Sequence, residues 1–304
     1  MKHSKIAIIG AGAVGSTTAY ALMLRNIAAE IALIDINDIR CKGEMLDLSD
    51  TLPFSMSSSI HISSLQDARD ANIIIFCAGI PQKPGQPRTE LLKTNANIMK
   101  SVFTSLKPLN NDAVIIIVTN PVDALTYYAQ QLNGLPKNQI FGTGTLLDSL
   151  RLRVTLAQKL GIAQESIDAH VLGEHGDSQF VAWSSAHVAG IPLTQFTGVS
   201  ADELVRIEKE TQQKAYDIIA CKGSTFYGIA SCVSLMCESI IFDQKRVLPL
   251  STYHENFGVC FSLPVVLGEK GIEKTLPIRL NEQEQKKLKA SAHALSEAIK
   301  KGLS

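Results

Sequence analysis

The segment Gly10-Ala11-Gly12-Ala13-Val14-Gly15 has the spacing G-x-G-x-x-G, placed directly after a β-branched run and at the start of a helix-period stretch. In that context the pattern suits a pyrophosphate. Gly10 permits a tight turn, Gly12 lets backbone amides approach phosphate oxygens, and Gly15 lets helix and strand pack closely. Asp35 lies 20 residues beyond Gly15, at the end of the next β-branched run. A carboxylate there accepts hydrogen bonds from adenosine ribose hydroxyls and repels a 2′-phosphate, which favours NAD over NADP. A second constellation centres on Gly173-Glu174-His175-Gly176-Asp177-Ser178. A lone histidine is most often structural, but Asp148 and Arg151, one helical turn apart in Leu146-Leu147-Asp148-Ser149-Leu150-Arg151, change what it can do. A carboxylate beside an imidazole raises its pKa and fixes its tautomer, giving an acid and base near neutral pH. An arginine on the same helix face can grip a substrate carboxylate through two parallel hydrogen bonds. An ordinary surface ion pair at i,i+3 remains the alternative for Asp148 and Arg151.

Two further stretches flank this chemistry. Ala78 to Arg88 is rich in Pro and Gly, and carries Gly79, Gln82 and Arg88. It reads as a surface loop, and beside a dinucleotide site such a loop can serve as a lid. In Val118-Thr119-Asn120-Pro121-Val122-Asp123, Pro121 is placed to open a helix and the Asn120 amide to face the cofactor.

The elements that must position these residues follow from the apolar pattern. Ile6–Ile9, Ile31–Ile36, Asn72–Cys77 and Val114–Thr119 are short, almost wholly apolar runs, as strands covered on both faces should be. Helix-period stretches separate them, which predicts crossover connections in a parallel sheet. Beyond about residue 143 the pattern changes. A strand is expected over Ile167–Leu172, a half-buried helix around Leu204, Ile207, Ala215 and Ile218, and paired strands over Val247–Tyr253 and Gly258–Leu267. Asn281-Glu282-Gln283-Glu284 forms a capping box for a last helix that carries Leu288, Ala292, Leu295 and Ile299 on one face. The expected fold class is α/β: a Rossmann-type doubly wound parallel sheet over 1–143, followed by an α+β catalytic domain over 144–304.

Composition narrows the partners. The 304 residues carry 29 Lys+Arg and 29 Asp+Glu, so no basic surface for nucleic acid or an anionic membrane is expected. The longest aliphatic runs, such as Val114 to Val118, fall far short of the roughly 20 residues a membrane span needs. Lys2 and Lys5 precede an apolar run, but glycines interrupt it and no small-residue cleavage site follows, which argues against secretion. Six cysteines form no C-x-x-C pair and no zinc-type Cys/His cluster, so they read as packing residues of a reduced cytoplasmic chain without a metal site.

Taken in order, the glycine fingerprint, Asp35, the Gln82-to-Arg88 loop, T-N-P-V-D, L-D-S-x-R, G-E-H-G-D-S and Lys222-Gly223-Ser224-Thr225-Phe226-Tyr227 resemble the L-lactate/malate dehydrogenase family, from about Lys5 to the last helix. The resemblance implies that His175 is the proton donor and acceptor and Asp148 its partner. Arg151 becomes the substrate carboxylate clamp and Arg88 the lid arginine that polarises the reacting carbonyl. Asn120 and Thr225 complete the substrate pocket. It also implies that Gly10, Gly12, Val14, Gly15, Asp35, Arg40, Gly79, Ser101, Val118, Asn120 and Thr143 line an NAD site. Gln82 stands where members acting on malate carry arginine for the second carboxylate of oxaloacetate, which points to pyruvate and L-lactate. Another 2-hydroxy acid, malate or a branched one, is the nearest alternative, and a redox-silent NAD-binding protein a more distant one. The family likeness further implies a homotetramer, with a dimer as minimum. Two departures matter. Gln86-Pro87 replaces the acidic and small hydroxyl residues usual before the loop arginine, which would stiffen the lid. Asp168 replaces the histidine of members activated by fructose 1,6-bisphosphate, while Arg153 holds the matching arginine position, so activation is expected to be weak or absent.

Overall fold

In the computed structural model, residues 4–55, 59–81, 87–196 and 199–303 are described, with Arg88 described in its backbone alone. The first half alternates strand and helix: β1 (Lys5–Ile9), α1 (Ala13–Leu24), β2 (Glu30–Ile34), α2 (Asp38–Ser49), β3 (Ser59–Ile62), β4 (Ile73–Phe76), α3 (Arg88–Leu106), β5 (Val114–Ile117), α4 (Val122–Leu132) and β6 (Ile140–Gly142). In the second half follow α5 (Leu146–Leu160) and five two-residue strands, β7 (Ile167–Asp168), β8 (Val171–Leu172), β9 (Phe180–Val181), β10 (His187–Val188) and β11 (Ile191–Pro192). The chain ends with α6 (Ala201–Lys222), α7 (Tyr227–Ile241), β12 (Arg246–His254), β13 (Val259–Gly268), β14 (Gly271–Thr275) and α8 (Glu282–Leu303).

Strands β1 to β6 pair in parallel in the order β3-β2-β1-β4-β5-β6, the doubly wound arrangement. Alternation along each strand divides the apolar side chains between two cores. Ile6 and Ile8 face the core shared with α1 and α7, whereas Ala7 and Ile9 face the one shared with α3, α4 and α8. Every residue of β4 and β5 is buried, so neither strand alternates between apolar and polar side chains.

The late strands do not form a separate sheet. The hairpin of β12 and β13 was legible as a pair, but β12 joins β6 antiparallel through Ser251 and Gly142, so the sheet runs unbroken across nine strands to β14. This seats α7 and the β12–β14 meander on the same sheet as the glycine loop. The run expected as one strand over Ile167–Leu172 is interrupted at Ala169 and His170. Its first part, β7, pairs with β10, and its second, β8, with β9. The capping box is present as a reciprocal pair: Asn281 Oδ1 accepts from Glu284 N and Glu284 Oε2 accepts from Asn281 N, both at 2.9 Å. All six cysteines are free. Cys41, Cys232, Cys237 and Cys260 are buried and Cys77 is half-buried, but Cys221 is exposed at the end of α6 and packs in no core. Among the described residues no helix is long and apolar enough to cross a membrane, and no group of three or more His, Cys, Asp and Glu is arranged to hold a metal ion.

Candidate active site

The glycine loop joins β1 to α1. Gly10 has φ of +103°, and a Cβ there would stand 2.6 Å from Ala78 N, so the end of β1 nests against the end of β4 only because this position lacks a side chain. A Cβ on Gly15 would meet Gly10 O at 1.9 Å, which explains the need for a third glycine. Gly12 differs in kind. A Cβ there would find only Arg40 Nη2, at 4.0 Å, so its glycine leaves open space instead of relieving a clash. Gly12 is also the N-cap of α1 and supplies no side-chain hydrogen bond, leaving the first-turn amides, Val14 among them, to an external acceptor. The Asp35 carboxylate follows β2 and accepts from Ala11 N at 2.7 Å and Asn37 N at 2.9 Å, which fixes it beside the loop. Open space at Gly12, free helix amides, a nearby guanidinium on Arg40 and a positioned carboxylate on Asp35 fit a dinucleotide's pyrophosphate and ribose.

The C-terminal ends of β4 and β5 form the next wall. Val118 and Thr143 are buried there, with Val118 N donating to Phe76 O and Thr143 N to Ile117 O, each at 3.0 Å. Gly79 lies against Thr119 and Asn95; a Cβ on it would stand 2.5 Å from Thr119 Cγ2. Asn120 is exposed at the β5 end, with Pro121 capping α4. Sequence reasoning missed Asn95, which organises this corner. It is fully buried on α3, donates through Nδ2 to Asn120 O at 2.8 Å and Ile80 O at 3.3 Å, and accepts at Oδ1 from Ile80 N at 2.9 Å.

The histidine enters from the second half. Helix α5 carries Asp148 and Arg151 on one buried face, 2% and 8% exposed. Asp148 Oδ2 lies 2.7 Å from His175 Nδ1, and Asp148 Oδ1 accepts from Arg151 Nη1 at 3.4 Å. An acceptor this close places the proton on Nδ1, leaving Nε2 to exchange a proton with a substrate. Burial pulls the His175 pKa down, but the charge and hydrogen bond of Asp148, with the charge of Asp123, outweigh it and leave the pKa raised. For Asp148 burial pushes upward, and the charge and hydrogen bond of His175, with Arg151, bring its carboxyl below the usual range. The backbone amide of His175 donates to Asp123 Oδ2 at 2.7 Å, a second contact that sequence reasoning did not supply.

A family model described as lactate/malate dehydrogenase, NAD binding domain, matches residues 4–142, and one described as lactate/malate dehydrogenase, alpha/beta C-terminal domain, matches residues 145–304. The chain belongs to the lactate/malate dehydrogenase family. Among its relatives in this family, L-lactate dehydrogenase A of Rhizopus oryzae is 43% identical over 293 residues, covering 96% of this chain and 91% of that protein. L-lactate dehydrogenase of Limosilactobacillus reuteri is 39% identical, covering 99% and 95%. Two crystal structures superpose over nearly all of the chain. One is a lactate dehydrogenase from a deep-sea metagenome library of the Medee basin, with TM-score 0.95, 33% identity and full coverage of both chains. The other is a minor L-lactate dehydrogenase from Enterococcus mundtii in a ligand-bound form, with TM-score 0.94, 32% identity and coverage of 99% and 98%.

Of the positions that resemblance to this family singled out, His175, Asp148 and Arg151 are in direct contact, and Gly10, Gly12, Gly15, Asp35, Arg40, Gly79, Val118, Asn120 and Thr143 lie at the C-terminal ends of the parallel strands or in the loops and helix starts beside them. Thr225 is half-buried in the turn between α6 and α7, three residues before Gly228, where a Cβ would stand 2.9 Å from Leu147 Cδ1 beside Asp148. Ser101 is not brought in. It is exposed 13 residues along α3 from Arg88, about 20 Å at the helical rise, on a helix that runs away from the strand ends. Gln82 and the side chain of Arg88 lie outside the described residues.

Proposed function

We propose that this family member is an NAD-dependent L-lactate dehydrogenase that reduces pyruvate to L-lactate reversibly, with His175 as the acid and base. The observation that carries the reading is the contact of one buried carboxylate, Asp148, with both His175 and Arg151. It supports a proton donor and a carboxylate clamp held by one acid. When bound, the nicotinamide cofactor supplies the hydride in reduction and accepts it in oxidation. The residues around Gly12, the amide of Val14, Arg40 and Asp35 hold the dinucleotide, and Gly79, Val118, Asn120 and Thr143 line its path along the strand ends. Arg151 pairs with the substrate carboxylate, and Asn120 and Thr225 close the pocket. The segment from Gly79 to Arg88 closes over the substrate and excludes water, and Arg88 polarises the carbonyl. Protonated His175 then delivers its Nε2 proton to the carbonyl oxygen, and neutral His175 takes it back in the reverse direction.

Following NADH absorbance with pyruvate tests the reading directly. His175→Asn should lower turnover by about 10²- to 10⁴-fold, the range for loss of a general acid. A variant that kept most of its turnover would refute it. Gln82 supports pyruvate over oxaloacetate, since a dry pocket closed over an unpaired carboxylate is costly. Comparing kcat/KM for pyruvate, oxaloacetate and 2-oxoisocaproate decides the substrate; a tenfold preference for oxaloacetate would assign the protein to malate.

We divide the chain into a cofactor unit, 1–143, and a catalytic unit, 144–304, because α5 with Asp148 and Arg151 begins at this junction. We assign a homotetramer, with a dimer as minimum. Support comes from apolar side chains left in solvent on α2 and α7, Ile39 at 87%, Leu46 at 52% and Tyr227 at 67%. Sedimentation velocity checks it. Free, mostly buried cysteines suit a reducing compartment, and we place the enzyme in the cytoplasm.

A further inference from the structure

Asp123 closes the T-N-P-V-D segment, and the chemistry above gives it no task. It is the second residue of α4 and 2% exposed. Its Oδ2 accepts the backbone amide of His175, 52 positions away, at 2.7 Å. Its Oδ1 is buried without a hydrogen-bond partner among the described residues, and so is Ser251 Oγ on β12. A backbone amide needs only an acceptor, which a neutral asparagine supplies at far lower desolvation cost than an aspartate. A charge that the amide contact does not require therefore points to something other than holding the loop.

We propose that Asp123 is a positioning residue of the active site: it anchors the backbone of His175 and adds a second negative charge beneath the imidazole, so that the proton donor stays loaded at neutral pH. The proposal rests on the reading of His175 as the acid and base. The charged groups around the imidazole come from two elements. From α5, Asp148 raises its pKa and Arg151 lowers it, while Asp123 on α4 raises it. Around Asp123, burial outweighs the amide and charge of His175, which pull downward, and with a small push from Glu174 leaves the carboxyl raised to about 6. Its place in the first turn of α4 also favours the anion. The neighbouring Cys260 on β13 is held as a thiol, first by burial and then by the charge of Asp123. Asp123, Asp148 and His175 thus titrate as one coupled group.

Asp123→Asn keeps an acceptor for the His175 amide and removes the charge. In the full chain, proton NMR titration of the His175 ring, assigned with His175→Asn, should show its pKa falling by at least about half a unit, a threefold change in proton affinity. The fall of kcat/KM for pyruvate with rising pH should move to lower pH by the same amount, with KM at pH 6 little changed. Loss of activity at every pH with an unmoved midpoint would mean a structural role only and would overturn the proposal. The reciprocal measurement covers a variant that fails to fold: in His175→Asn, the carbon-13 titration of the Asp123 carboxyl should move upward, because linkage is mutual. An unmoved Asp123 midpoint also overturns the proposal. If both NMR midpoints move while His175→Asn keeps its turnover, the coupling stands and the assignment of His175 as acid and base fails. If neither moves while His175→Asn is inactive, the assignment stands and the coupling fails.

Discussion

Asp148 and His175 are 27 positions apart in the chain and 2.7 Å apart in space, and the second oxygen of the same carboxylate faces Arg151. One buried acid therefore sets the tautomer of the proposed proton donor and the orientation of the proposed substrate clamp together. Asp148→Asn should disturb both. It keeps the shape, removes the charge that raises the His175 pKa, and leaves Arg151 without its counter-ion. A fall in kcat/KM for pyruvate of at least about 10²-fold is expected, together with a higher KM. Steady-state kinetics from pH 5 to 9 measures both. An effect on kcat alone would mean that Arg151 holds its position without Asp148.

The raised pKa of His175 fixes the direction of the pH dependence. Reduction uses the protonated ring, so its rate should be level at low pH and fall as pH rises through a value above 6.5. Oxidation uses the neutral ring and should gain over the same interval. Stability follows the same signs. The His175 contribution is fully present below the unfolded value of 6.5 and is lost as pH rises through the folded one. That of Asp148, whose folded pKa is lowered, is present above 3.8 and is lost as pH falls through the folded value. Melting temperatures of the natural protein and His175→Asn should therefore converge as pH rises past the His175 midpoint. A constant difference from pH 6 to 9 would contradict the ion pair.

Two glycines of one loop should respond oppositely to alanine. In Gly15→Ala the new methyl meets the carbonyl oxygen of Gly10, which is backbone and cannot swing away, so the fold should lose about 1–3 kcal/mol. In Gly12→Ala the methyl enters open space, so the melting temperature should hold while KM for NADH rises about tenfold or more. Thermal melts and cofactor titration separate the two. A Gly12→Ala variant with normal cofactor affinity would place the pyrophosphate elsewhere.

The contrast between what the chain revealed and what it concealed follows the range of each interaction. The glycine fingerprint, the i,i+3 pair of Asp148 and Arg151 and the capping box at Asn281 are local, so spacing alone exposes them. The strands β1, β2, β4 and β5 declare themselves because burial on both faces demands apolar side chains almost throughout. The attachment of β12 to β6 was hidden, since a hairpin's pattern says which residues face a core but not which sheet edge receives it. Asp123 and Asn95 were hidden for the same reason. Each is a polar residue in a helix whose partners become visible only when strand ends and loops converge. The sequence Ile167–Leu172 reads as one strand, and only pairing with two different neighbours divides it.

Asn95 ties Ile80 to Asn120, the residue proposed to meet the substrate. Replacing it with alanine leaves Ile80 N, Ile80 O and Asn120 O without their buried partner, and each such group costs about 1–3 kcal/mol. Asn95→Ala should therefore melt several degrees lower and show a larger loss in kcat/KM for pyruvate than in NADH affinity, because the dinucleotide loop at Gly12 does not depend on it. Equal losses in both would mean that the corner acts only through general stability.

The family resemblance puts Asp168 where members activated by a sugar bisphosphate carry histidine, and its charge is already engaged. Arg153 Nη2 donates to His170 Nδ1 at 3.3 Å, which leaves His170 Nε2 to donate to Asp168 Oδ1 at 2.8 Å, while Arg153 Nε is used on Ala169 O. The hydrogen bond from His170, with the charge of Arg153, holds the Asp168 carboxyl below its usual range despite burial. An incoming phosphate would meet a carboxylate that is ionised at neutral pH, beside an arginine whose charge is offset and two of whose donors are engaged. Fructose 1,6-bisphosphate at millimolar concentration is therefore expected to leave the pyruvate saturation curve unchanged within about twofold, since Asp168 offsets the attraction of Arg153 for an anion. Asp168→Asn removes the repulsion and should make any response larger than in the natural protein. A strong drop in KM for pyruvate on adding the bisphosphate to the unaltered chain would show that the anion is held by other residues.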